Sequence, residues 1–301
     1  MSDRYVAHSA FVRPALGSSD LGPVLIIVVL IEFMFILAPV FVGATLPEVW
    51  FISYNAGITP LSVIAQLLTF GLIAAALVLL VRKFHHRGFW SMVGPMGDTV
   101  RNLWTAGIAV FMLLLIQIAL PLWIASADIV ETRPLINWAA WIAPTIAVLL
   151  IQTGTEELYF RGYLQQQCAA LSDNPWIWMG IPSVLFGAGH YLNGFGPADG
   201  VLYAFWATLL GLACADLTAR TGNIGAAIGL HLSNNLFTFI IVGEKGMPSS
   251  GLALFLYSPI DHSQFDYGLH TLVQPWIIPE LMTLVLVVGV MWLAARVALR
   301  H

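Results

Sequence analysis

A chain of 301 residues in which 59% are hydrophobic and 9% charged, with a mean hydropathy of +0.85, lies outside the ordinary soluble class, where about a quarter of residues carry charge. Its net charge of −4 arises from 16 acids and 12 bases scattered along the sequence, with no basic block to hold nucleic acid. The two cysteines, Cys168 and Cys214, are too few for a disulfide framework and fit no zinc spacing, so both are expected to be small packing residues.

The polar stretch 1–20 reads as a cytoplasmic N-terminal segment, and the apolar run after it is as long as a membrane span rather than a signal-peptide core. The whole chain, 1–301, is predicted to be a single all-α polytopic membrane domain with about eight transmembrane helices. Long apolar runs place them at Val24–Gly43, Pro60–Val81, Thr105–Ser126, from near Asn137 into an acidic motif at 156, Trp176–Gly189, Gly200–Ala215, Ile224–Val242 and Trp276–Val297. Pro182, Gly187 and Gly189 are expected to kink or shorten the fifth. Tryptophans at 104, 123, 138, 141, 176, 178 and 276 fall near span ends, as interfacial anchors do.

Cytoplasmic loops carry the excess of Lys and Arg. With both termini inside, Arg4, Arg13, Arg82, Lys83, Arg87, Arg101, Arg161, Arg220, Arg296 and Arg300 fall at the cytoplasmic face, leaving only Arg133 and Lys245 outside. The expected location is therefore a multi-pass inner-membrane protein with cytoplasmic termini. The longest non-spanning stretch, Gly243–Gln274, contains Glu244, Asp261, His262, Asp266 and His270 without tight ligand spacing, and reads as a solvated external loop. His85 and His86 are expected at the surface of a basic loop, and Glu32, Gln66 and Gln117 as hydrogen-bonding groups between helices, with Glu32 also a candidate cavity residue.

Charge is concentrated in one apolar setting at Glu156-Glu157-Leu158-Tyr159-Phe160-Arg161. An ionisable group at mid-bilayer costs roughly 2.5–3.5 kcal/mol, so such groups usually face a polar cavity and mark function. On a helix Glu157 and Arg161 share a face and are spaced for an ion pair, while Glu156 points about 100° away and is left to face a cavity. Phe186 and His190 are four apart in the fifth span, and His231 and Asn235 four apart in the seventh.

This inventory suits hydrolysis. A carboxylate and a neutral imidazole can hold and deprotonate a water, and a histidine with an asparagine amide can donate to an oxyanion. Two histidines and two glutamates are also competent ligands for a divalent metal such as zinc, and the sequence leaves both mechanisms open. There is no His-Glu-x-x-His zinc helix, no Gly-x-Ser-x-Gly elbow and no phosphate loop. Gly194-Phe195-Gly196-Pro197 reads as a turn.

Glu-Glu-x-x-x-Arg at 156–161, Phe-x-x-x-His at 186–190 and His-x-x-x-Asn at 231–235 resemble, in order and in separate spans, the three motifs of the CAAX-protease and bacteriocin-processing family, with type II prenyl endopeptidases among its members. The resemblance covers a motif core at about 155–240. It implies an intramembrane endopeptidase, open toward the cytosol, that hydrolyses a bond near the C-terminus of a lipid-modified or membrane-associated peptide. In that scheme Glu156 with His190 activates water, His231 with Asn235 forms the oxyanion hole, and Glu157, Arg161 and Phe186 shape the site. The family is widely classed with metallopeptidases, although a metal-free glutamate mechanism has been argued for it. A non-catalytic immunity or scaffolding protein on the same frame, and a transporter with a proton relay, are the alternatives.

Overall fold

The computed structural model describes residues 5–119 and 128–300. Arg4, Trp123 and the end of the third expected span at Ser126 lie outside the described residues.

Six helices among the described residues are long and apolar enough to cross a membrane: α2 (Leu21–Ala44), α3 (Pro60–His85), α4 (Met96–Ala119), α5 (Leu135–Leu171), α7 (Pro197–Thr221) and α9 (Ile277–Leu299). A short α1 (Val6–Val12) precedes them. The chain is an all-α polytopic membrane protein. The fifth and seventh expected spans correspond to two shorter helices, α6 (Ile181–Gly189), preceded by a π turn at Trp176–Gly180, and α8 (Gly225–Ile240). At 9 and 16 residues both fall short of the roughly 20 needed to cross the hydrocarbon core, and they are held inside the bundle by neighbours. Lipid-facing positions such as Phe33, Leu79, Ile116 and Val297 are exposed and apolar, as a bilayer requires.

α8 packs mainly on α4, and α6 on α7. Small residues permit both contacts. A Cβ at Gly229 would stand 2.3 Å from the Leu103 carbonyl oxygen, and one at Gly225 only 2.0 Å from that of Thr99. The Ser233 hydroxyl, one turn further along α8, donates to the Gly107 carbonyl at 2.7 Å. Gly187 plays the same part against Ala204 and Thr208 of α7, whereas Gly189 has no neighbour within 4 Å. Alanine at Gly229 is expected to cost about 1–3 kcal/mol by forcing α4 and α8 apart, read as a lower unfolding temperature in detergent.

The helix ends define two faces. On one, Ala7 meets Gly222, the Ile224 amide donates to the Val93 carbonyl, and Arg101, Arg220 and Arg300 gather around a shared cavity. On the opposite face three short strands, β1 (Ile129–Thr132), β2 (Val242–Glu244) and β3 (Phe255–Tyr257), form a sheet in the order β1-β3-β2, with β3 antiparallel to β1 and parallel to β2. Lys245 pairs with Glu131 at 2.9 Å, and Arg133 donates to the Ala253 and Ser250 carbonyls. Gly243–Gln274 is therefore more ordered than a solvated loop. Glu244 is buried, accepting from the Ile260 amide at 2.8 Å and facing His262 at 3.4 Å.

The first face also departs from expectation at two positions. Trp178 is fully buried rather than interfacial, under α1, where its ring lies 4.3 Å from that of His8. His85 is buried against the Tyr163 hydroxyl at 3.0 Å, while His86 is exposed as expected. Both cysteines are buried and free. Burial of the His8 imidazole lowers its pKa from 6.5 to about 4. The unfolded chain therefore binds the extra proton first as pH falls, so the stability is full above pH 6.5 and is lost progressively toward pH 4. A loss of about 2 kcal/mol on moving from neutrality to pH 5 is expected, absent in His8→Phe, by thermal unfolding at the two pH values.

Candidate active site

α5 runs on past Glu156 to Leu171, so the acidic motif lies within a helix of 37 residues rather than at its end. Directly after Glu157 the winding changes to π over Leu158–Gln165. Long π segments are rare and concentrate at functional sites. Glu157 and Arg161 nonetheless meet as expected, Nη1 to Oε1 at 3.2 Å, both side chains 0% exposed. The guanidinium also lies 4.8 Å from the centre of the Phe186 ring, a cation–π contact that places the aromatic of the second motif against the first. Its Nε and Nη2 have no hydrogen-bond partner among the described residues.

His231 ties the motifs together. Its Nδ1 is 2.8 Å from Glu157 Oε1 and its Nε2 is 3.5 Å from Glu156 Oε2. A carboxylate only accepts, so the close contact places a hydrogen on Nδ1 and turns Nε2 toward Glu156. The edge of the Phe186 ring system packs on the imidazole, with ring centres 5.5 Å apart. His190 is fixed differently: Nδ1 donates to the Phe186 carbonyl at 2.7 Å, which leaves Nε2 of the neutral ring as an acceptor.

Glu156, Phe186, His190, His231 and Asn235 all line one cavity of about 880 Å³. The pairing inside it differs from expectation. Glu156 and His190 share the cavity wall without a direct bond, and the imidazole next to Glu156 is that of His231. Asn235 donates to Gln152 Oε1 at 2.9 Å, and Gln152 donates in turn to Glu156 Oε2 at 2.7 Å. Gln152 is the residue the sequence reading passed over. Its signal was a polar side chain one turn before Glu156 on the same helical face.

The cavity is lined in addition by Asn193, Phe195, Val242–Glu244, Met247–Ser250 and Tyr257 from the loops and strands of the sheet-bearing face, and by Phe35, Leu67, Phe70 and Phe160 of α2, α3 and α5. The cavity thus reaches from Glu156 to the face opposite that of Arg101, Arg220 and Arg300. His190 follows directly on the end of the short α6.

The described residues contain no group of three or more His, Cys, Asp or Glu gathered to hold a metal ion. His231 has a carboxylate on each ring nitrogen rather than a nitrogen turned into a shared cage. This donor arrangement does not fit a ligand cage, so a metalloprotease-like label is not supported.

Residues 138–237 match the family model described as Type II CAAX prenyl endopeptidase Rce1-like. This segment is Rce1-like. It contains every residue placed at the cavity by the three motifs. The uncharacterized protein YyaK of Bacillus subtilis (strain 168) is 32% identical over 113 residues, covering 37% of this chain and 38% of that relative. No solved structure matches the chain. The six apolar helices place the chain in the membrane.

Proposed function

We propose that the protein is a membrane-embedded endopeptidase acting on a membrane-associated or lipid-modified peptide, with Glu156 as the base. The observation that carries this is a buried carboxylate set in a cavity large enough for a peptide, flanked by two imidazoles whose Nδ1 atoms are already engaged. In this reading a water is held between Glu156 and His190 Nε2. Glu156 takes its proton as the oxygen attacks the peptide carbonyl carbon. The resulting oxyanion lies near the Asn235 amide, which donates to it, and near His231, whose Nε2 donates to it only as the imidazolium, with Glu157 as the counter-charge on Nδ1. The proton on Glu156 then passes to the departing amine nitrogen as the C–N bond breaks. Glu157 and Arg161 orient His231 from behind, and Phe186 packs on both the imidazole and the guanidinium. The apolar part of the lining, Phe35, Leu67, Phe70 and Phe160, suits a lipid chain or an apolar peptide segment.

With the arginine-rich face cytoplasmic by the positive-inside rule, the strands and loops that line part of the cavity lie on the far side of the membrane. Mapping of new peptide termini in membranes from cells carrying the wild-type protein or Glu156→Ala at matched expression tests the reading. Termini present only with the wild type support it and name the substrate. Identical termini in both, with added lipidated peptides left intact, overturn it in favour of a binding role.

A further inference from the structure

Glu32 has no part in the hydrolytic arrangement, yet it stands in the most apolar helix of the chain. α2 has a mean hydropathy of 3.0, and Glu32 is its only charged residue. A carboxylate there is costly and by default marks a site. Its Oε1 accepts from the Tyr159 hydroxyl at 3.1 Å, and the side chain, half-buried, lines the same cavity as Glu156.

The charge around that cavity is one-sided. Glu32, Glu156 and Glu244 line it, and no Lys or Arg does. Arg161 is buried behind Glu157, and Arg133 and Lys245, the bases of the sheet-bearing face, are engaged with carbonyls and with Glu131. Carboxylates along a low-dielectric wall focus a negative potential into the cleft. An ammonium or guanidinium entering the cleft would find the Glu32 carboxylate on its wall.

We propose that the cavity selects a peptide segment bearing a positive charge and that Glu32 is the residue that reads it, an inference that rests on the peptidase reading for the nature of the ligand. The test is binding to the Glu156→Gln protein in phosphatidylcholine nanodiscs, using two acetylated and amidated peptides that differ only by a Lys-to-Gln exchange. The lysine peptide is expected to bind about tenfold more tightly, as a charge-assisted hydrogen bond provides. Adding Glu32→Gln should bring the two affinities together, while Tyr159→Phe, which keeps the carboxylate, should preserve the difference. Equal affinities with Glu32 present, no binding of either peptide, or a preference that survives Glu32→Gln overturns the inference. Charge-selective binding without any proteolysis by the wild type removes the peptidase reading and leaves the role of Glu32 standing. Proteolysis with equal affinities does the reverse.

Discussion

Replacement of Glu156 by alanine is expected to lower peptide cleavage by about 10²–10⁴-fold, the span associated with losing a positioned general base. Insertion and folding should survive. The carboxylate is at the cavity wall, its amide partner Gln152 is held from the other side by Asn235, and His231 keeps its closer bond to Glu157. Glu156→Gln sharpens the test, because it retains a hydrogen-bonding side chain of nearly the same shape and cannot take a proton. Cleavage rates of either variant within a few-fold of wild type, at equal thermal stability, would remove Glu156 from the chemistry.

The opposite division is expected at Glu157. Its carboxylate is fully buried and contacts both Arg161, at 3.2 Å, and His231, at 2.8 Å. Alanine there leaves a buried guanidinium without its counter-charge and an imidazole without its anchor, a change of about 3–5 kcal/mol in stability. The double variant Glu157→Gln, Arg161→Met should cost less than Glu157→Ala alone, because it removes both charges together. Thermal unfolding in detergent checks this ordering. A Glu157→Ala protein as stable as wild type, or a double variant less stable than the single one, contradicts the buried-pair account.

Residues whose chemistry is local were legible in the sequence. The four-residue spacing of Glu157 and Arg161 predicted their ion pair, because helical neighbours are set by the backbone alone, and the long apolar runs predicted the six full-length helices. The three motifs reach one cavity as their order suggested. What escaped was set by tertiary packing. That His231 faces both glutamates, that Gln152 links Asn235 to Glu156, and that the cavity reaches the strands depend on how α5, α6 and α8 cross, which no periodicity encodes. The sheet was invisible because its strands are only three or four residues long, below the length at which alternation can be read. The two short helices read as spans because the sequence shows their apolar character and not the neighbours that cover them.

The π winding at Leu158–Gln165 acts as a vernier between the two halves of α5. Each hydrogen bond in it reaches five residues back instead of four, so the stretch holds slack that a regular helix lacks. Rewinding the same eight residues as ordinary α-helix would turn everything beyond them relative to Glu156, because α winding advances about 100° per residue and π winding less. Gln165 and Gln166, which bond the Ala215 and Ser91 carbonyls from the far half, would then leave their partners. The winding of these eight residues is thus as constrained as their identity.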